Sequence, residues 1–544
     1  MSDTLPVVVD RELSWLKFNE RVMEEGARAD VPLCERLLFL RIFQTNLDEF
    51  FRVRVGTLMD RTGPEIAAQL EAVRADVRRL LTRKEELYHE LLAAVRALKV
   101  SSVDLVSPED WTGAERTAVD AWFAESVAPY LTAIALGKRQ TFPFLRDREI
   151  YLVAWLGRKG AKGSDAKKRR LGVLGCTTAG LARLVALPSG RQALLEDVIR
   201  MQAGRAFPGF DVHATTLVRV TRNADLDPDA EYDDHEDYRE FMGKLMKARR
   251  HRAPVRLGVA SATDAALLED LKQRLGIGNE SIVGSGVPLD FAFFETFRDR
   301  LRAFPELFYP RHTPHRHAVF SAGAILPQIR KADRLLVFPE DSMQPFLSFL
   351  QEAASDPKTV SIRMTLYRVA AQSQIVEALI AAAENGKEVE VVVELKARFD
   401  EENNIELSRR LEAAGCQVVY GLDGYKVHAK LCLVTRQGEH GLETFTQVGT
   451  GNYNEKTARL YTDFSLLTCD AKIAADAAQI FRALALGNLP EATKELLVAP
   501  KGLKPRILAL IARETERAKA GKGGYIGLKL NGLTDREIMD ALVA

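Results

Sequence analysis

The sequence predicts a multidomain protein of mixed α+β and α/β class, and three observations lead there. The chain has 544 residues, too many for one hydrophobic core, and that length suggests roughly three or four domains. Apolar residues recur three and four apart from Glu12 to about Lys99, the signature of helices. From about Asp333 the pattern changes to strand–helix alternation, which predicts an α/β sandwich with a mostly parallel sheet.

Hydrophobic residues make up 47% and charged residues 28% of the chain, a globular balance rather than a disordered one. Lys plus Arg total 76 against 75 for Asp plus Glu. Near-neutral charge does not mark a nucleic-acid binder, so a polyanion would meet a local basic patch. The cysteines are Cys34, Cys176, Cys416, Cys432 and Cys469; their odd number, wide spacing and lack of a CxxC pair point to reduced, buried thiols. The N-terminus lacks a basic stretch followed by an apolar run, and no apolar stretch is long enough to span a bilayer, so the expected compartment is the cytoplasm.

Taken in order, the helical region occupies residues 1–105. A mixed region, 106–316, follows, with strands expected at Leu171–Gly175, Ala182–Pro188 and Thr216–Thr221 and a charged helix at Asp237–Arg250. The Gly157–Arg170 stretch reads as a hairpin tip, and the acidic run Asp225–Glu240 as a solvated loop and helix start. In the third region, 317–500, strands are expected at Val360–Leu366, Val389–Leu395, Gln417–Gly421, Val427–Val434 and Phe445–Val448, with helices at Ser373–Asn385 and Ile405–Ala414. Residues 501–544 repeat its opening: a strand from Ile526 and a helix from Ile538 parallel those at Ser361 and Ile375. This last unit reads as the start of an incomplete domain.

The chemistry concentrates in Gly424–Val434. On a strand, Lys426, His428 and Lys430 point one way while Val427, Ala429 and Leu431 point the other. A lone His-x-Lys is weak, and a structural histidine is the ordinary reading. Flanking cations, however, disfavour the protonated ring and suit a neutral nucleophile facing phosphate. Gly449-Thr-Gly-Asn452 follows the next strand; its small residues let backbone N–H groups approach a phosphate, and Asn452 adds an amide. Arg368 and Arg398 fall at strand carboxyl ends, where ligands gather in open α/β sheets, and each offers a bidentate fork. The Arg311-His312-Thr-Pro-His315-Arg-His317 cluster has metal-binding side chains, but its interleaved arginines argue against a metal.

These residues resemble those of the polyphosphate kinase family, over essentially the whole chain. The resemblance rests on Arg11-Glu-Leu-Ser-Trp-Leu-Lys-Phe-Asn19, Gln44-Thr-Asn46-Leu-Asp-Glu-Phe-Phe51, Thr365-Leu-Tyr-Arg368, Val393-Glu-Leu-Lys-Ala-Arg398-Phe-Asp-Glu-Glu402, His428-Ala-Lys430, Gly449-Thr-Gly-Asn-Tyr-Asn454 and Thr457-Ala-Arg-Leu-Tyr461-Thr-Asp463. It implies a helical N-terminal domain, a mixed α/β second domain, a phospholipase-D-like α/β third domain and a second such domain cut short. It implies reversible transfer of the ATP γ-phosphate to inorganic polyphosphate, with His428 phosphorylated and Lys430 assisting. Asn46 would contact adenine, Tyr461 would line the nucleotide site, and Arg368 and Arg398 would hold phosphate and, through it, Mg2+. The partners implied are ATP/ADP and polyphosphate, without nucleic acid, together with a second copy of the chain and peripheral contact with the inner membrane face. Thr435 stands where the wider superfamily has an Asp, and Leu336-Val-Phe-Pro departs from the family's local pattern. The alternative reading is a shortened, non-catalytic relative that still binds nucleotide or partners.

Overall fold

The computed structural model describes residues 8–137, 140–160, 168–177, 180–225, 237–249, 251–261, 263–315, 320, 323–370, 372–397 and 400–544. Half of the Gly157–Arg170 tip, most of the acidic run, His317 and Arg398 lie outside them. The chain forms two compact bodies: residues 1–226 with 247–311, and residues 227–246 with 312–544.

In the first body the helical pattern resolves into α1 (Arg11–Ala27), α2 (Leu33–Phe50) and α3 (Pro64–Ala97). Asp10 caps α1 by accepting the Glu12 and Leu13 N–H groups at 2.9 and 3.0 Å. Pro64 opens α3 where a missing N–H costs nothing. Their apolar stripes meet in one core of Leu16, Leu37, Phe43, Leu80 and Leu87, joined by Phe291, Phe294 and Phe297 from far along the chain. Strands β1 (Ala133–Ala135), β2 (Ile150–Arg158) and β3 (Arg169–Gly175) precede a small hairpin of β4 (Leu184–Ala186) and β5 (Gln192–Leu194). Then come β6 (Phe210–Arg222), β7 (Pro254–Ala260) and β8 (Ile282–Ser285). Apart from the hairpin they form a sheet of order β1-β3-β2-β6-β7-β8, antiparallel except for β7–β8. The strand expected at Thr216–Thr221 is thus the end of a much longer one, and that expected at Ala182–Pro188 shortens to β4. The expected charged helix runs Tyr238–Arg249, and most of it belongs to the second body.

The second body is built on β9 (Arg334–Phe338), β10 (Thr359–Leu366), β11 (Glu388–Val393), β12 (Gln417–Val419), β13 (Lys430–Gln437), β14 (Leu442–Gly449) and β15 (Asp463–Thr468). The sheet order is β12-β11-β10-β13-β14-β15-β9. Only β10–β11 and β11–β12 are parallel, which corrects the expectation of a mostly parallel sheet. The reason is the length of the connections. Helices α4 (Gln374–Glu384) and α5 (Glu401–Ala413) cross between the parallel strands, whereas the Gly438–Gly441 link between β13 and β14 is too short to do anything but turn back. Helix α6 (Ala471–Ala485) covers one face, packing Ala477, Ile480 and Phe481 against Val392, Leu431 and Leu433.

This topology brings the carboxyl ends of β9, β10, β11, β12 and β14 to the same sheet edge as the amino ends of β13 and β15. The strand expected from Ile526 does not form. Residues 523–530 are irregular and expose Tyr525, Ile526, Leu528 and Leu530. No described strand lies beside them, and strand backbone groups are satisfied only in pairs. Two helices flank that stretch, Leu503–Lys519 and Arg536–Val543, tied by Lys504 to Asp535 and Glu537 at 2.8 and 3.1 Å. Among the described residues no helix is long and apolar enough to cross a membrane.

Candidate active site

The expected strand Val427–Val434 begins only at Lys430, so His428 sits in an extended segment just before β13. The predicted alternation holds for Val427 and Leu431 but not for Ala429, which is exposed. Val427 and Leu431 are buried in the cluster beneath α6, and each contributes about 1.5–3 kcal/mol as an anchor. On the other side Lys426 and His428 are exposed, while Lys430 is folded inward at 5% exposure. The Lys430 ammonium donates to the His428 carbonyl at 2.5 Å.

Tyr367, just past the end of β10, is the hub of the arrangement. Its ring meets the His428 imidazole edge-on, with centroids 4.6 Å apart and planes at 89°. The Lys430 Nζ lies 5.4 Å from the same ring, and the Arg368 guanidinium carbon 5.8 Å. Three of the residues singled out in the sequence therefore surround one aromatic ring. Partial burial first, and then the charges of Lys430, Arg368 and Lys426, hold the His428 ring well below the ordinary histidine range, at about 4. At neutral pH it is an uncharged base with a lone pair. Burial also lowers Lys430, to about 8; Asp463 opposes that shift and Arg368 adds to it. Arg368 is paired with Asp400, Nε to Oδ2 at 3.0 Å.

The Gly449–Asn452 turn is placed by strand pairing, since Gly449 is the register partner of Lys430 on one side and of Ser465 on the other. Thr450 ties the turn to the start of β15: its hydroxyl donates to Asp463 at 2.8 Å and accepts the Phe464 N–H at 2.9 Å. A side chain at Gly451 would meet the Asp463 carboxylate at 2.5 Å, so this close approach requires glycine. The Asn452 side-chain amide oxygen is buried with no hydrogen-bond partner, an acceptor open to a donor on a ligand. Tyr461 lies two residues before β15 with 62% of its surface exposed. Asn46 belongs to the first body, on α2, where its amide donates to the Asn19 side chain at 3.1 Å.

Several residues at this edge were not picked out as functional from the sequence. They are Tyr367, Thr365, Glu394, Asp400 and Asp463. Glu394 carried a signal: a carboxylate at the end of an otherwise apolar run is out of place unless it serves a purpose. Among the described residues no three-membered group of His, Cys, Asp and Glu could hold a metal ion, and His312 instead contacts the Pro339 carbonyl at 3.0 Å.

Comparison with known proteins covers the whole chain. Residues 8–103 match the polyphosphate kinase N-terminal domain and 114–297 the middle domain. Residues 324–489 match C-terminal domain 1, and 496–544 C-terminal domain 2. The chain is 38% identical to the polyphosphate kinase of Streptomyces coelicolor, over 98% of this chain and 72% of that protein. With the polyphosphate kinase of Pseudomonas aeruginosa it shares 35% identity over 99% of this chain and 79% of the other. The crystal structure of polyphosphate kinase from Porphyromonas gingivalis superposes with a TM-score of 0.81 at 30% identity, covering 98% of this chain and 78% of that one. The helical N-terminal region, the two mixed sheets and the sequence matches along the whole length agree, and the chain belongs to the polyphosphate kinase family.

Proposed function

We propose that this protein transfers the γ-phosphoryl group of ATP to the end of an inorganic polyphosphate chain through a phosphorylated His428. The observation that carries this reading is the neutral imidazole held against Tyr367 amid Lys430, Arg368 and Lys426. A protonated ring would have no lone pair to attack with, and a ring without cations nearby would meet an unshielded polyanion. In the first displacement a ring nitrogen attacks the γ-phosphorus. The N–P bond forms as the bond to the bridging oxygen breaks, and its electron pair leaves with ADP. In the second, a terminal polyphosphate oxygen attacks the same phosphorus and the N–P electron pair returns to the ring. Most of the catalysis is positioning and charge neutralisation by Lys430, Arg368 and Arg398.

The Asn452 amide NH2 would donate to a phosphate oxygen, Tyr461 would line the nucleotide site, and Asn46 would contact the adenine. The division at residues 105, 316 and 500 into four domains belongs to the same reading. The carboxylates at the edge are engaged, Asp400 with Arg368 and Asp463 with Thr450. This donor set suits a magnesium ion that arrives on the nucleotide's phosphates better than one caged by protein. Once there it would offset phosphate charge, while Arg368 binds phosphate oxygens and holds no metal directly.

The test is to incubate the protein with γ-labelled ATP. An acid-labile, base-stable label is expected on the wild-type protein and none on His428→Ala. Equal labelling of both would overturn the assignment.

A further inference from the structure

We infer that Glu394 and Thr365 are positioning residues that together clamp the backbone on both sides of His428; this rests on the phosphorylated-His428 reading above. The pairing of β10 with β13 runs as far as Met364 and Cys432 and then stops. Continuing it would give His428 an ordinary strand backbone. Instead two side chains take over the hydrogen bonds that strand pairing would supply.

The Thr365 hydroxyl donates to the Ala429 carbonyl at 2.8 Å and accepts the Leu431 N–H at 3.1 Å. Glu394, at the end of β11, accepts the Val427 N–H at 2.7 Å on one oxygen and its own turn's Lys396 N–H at 2.8 Å on the other. Both side chains are 1% exposed. The backbone is therefore pinned one peptide away from His428 on each side, at the Val427 N–H and at the Ala429 carbonyl, by groups from neighbouring strands. The imidazole between them is left to stand edge-on to Tyr367.

A buried carboxylate is costly, and an apolar residue would pack here without that cost. What glutamate adds is two acceptors on one rigid fork, able to bind two N–H groups at once. Glutamine has the same shape but only one acceptor, and its NH2 would face an N–H. Asn404 supports the frame from α5 by donating to the carbonyls of Tyr367 and Glu394 at 2.8 and 2.9 Å. The hub ring and the clamp thus share one support.

The experiment compares Glu394→Gln, Thr365→Val and Thr365→Ser in the full chain, with His428→Ala as reference. Glu394→Gln and Thr365→Val are expected to slow His428 phosphorylation roughly tenfold to a hundredfold, the cost of about an ångström of misplacement, with KM for ATP within about twofold. Thr365→Ser keeps the hydroxyl and should restore the wild-type rate. An activity-independent readout is the NMR titration of the His428 ring. It should move from its depressed value toward the ordinary one in Glu394→Gln and Thr365→Val, as the ring leaves Tyr367, Lys430, Arg368 and Lys426. If Glu394→Gln fails to fold, the valine and serine pair decides alone. Wild-type rates and an unmoved titration in Thr365→Val would sink the inference while leaving His428 as phosphate carrier. Undiminished label in His428→Ala would instead remove the reading beneath it.

Discussion

The two bodies treat charge in opposite ways. In the first, Asp48 is 3% exposed and lies between Arg219 and Arg256, both under 10%. Its carboxylate accepts from Arg219 at 2.7 Å and from Arg256, whose guanidinium also stacks 4.5 Å from the Phe51 ring. Burial pushes the Asp48 carboxyl up, but the two arginines outweigh it and hold the group at about 2. The edge of the second sheet is arranged differently. Lys430, Arg368 and Lys426 gather around a histidine that stays neutral, and each local carboxylate is engaged with its own partner. Where charge holds the fold, arginines and carboxylates share one largely buried network, with Asp290 also accepting from Arg219 at 3.2 Å. Where phosphate is proposed to bind, the cations face a ring that carries no charge.

The comparison predicts that substitutions in the two clusters fail in different assays. Asp48→Ala removes the carboxylate that two buried guanidiniums share and should cost about 3–5 kcal/mol of stability, read as a lowered midpoint in urea unfolding. A loss under about 1 kcal/mol would mean that water already solvates those arginines.

Arg368→Ala should do the reverse. Its ion pair with Asp400 is 41% and 36% exposed, so stability should change by less than about 1 kcal/mol. Phosphoryl transfer should lose about 2–4 kcal/mol of transition-state stabilisation, measured as kcat/KM. Lysine in its place should rescue poorly, because a point charge does not replace a planar fork.

The smallest effect separates His428 from Lys430 by pH. The proposed phosphorylation would need the neutral ring, present above its pKa of about 4, and a charged Lys430, present below about 8. The rate should therefore fall as pH drops through the first value and as it rises through the second. Lys430→Arg should keep the acid limb and lose the alkaline one, since a guanidinium does not deprotonate in that range. Rapid-quench labelling across pH reads both limbs, and an alkaline limb unchanged in Lys430→Arg would assign it to another group.

How much of this was legible beforehand varies from residue to residue. Alternation along Lys426–Leu431 picked out Val427 and Leu431 as apolar anchors, a local property of side-chain direction, but missed that Ala429 is exposed and Lys430 buried, because the strand begins only at Lys430. The Gly449–Asn452 turn and the strand-end position of Arg368 were equally local. Tyr367 escaped notice because its role is a contact with residues sixty positions away. The strand expected from Ile526 failed for a related reason: its pattern is right, but a strand exists only where another offers an edge.

The sequence by itself determined which segments carry apolar faces, where strands and helices alternate, and which cations could share a surface with His428. Tertiary structure decided the rest. It set the relative direction of consecutive strands through the length of the links, drew three cations around one ring, and ended β13 short of His428 by giving its backbone partners to Glu394 and Thr365. Periodicity and turn chemistry act over a few residues and can be read in order. Hydrogen bonds and charge interactions depend on distance in space, which the order of residues along the chain does not contain.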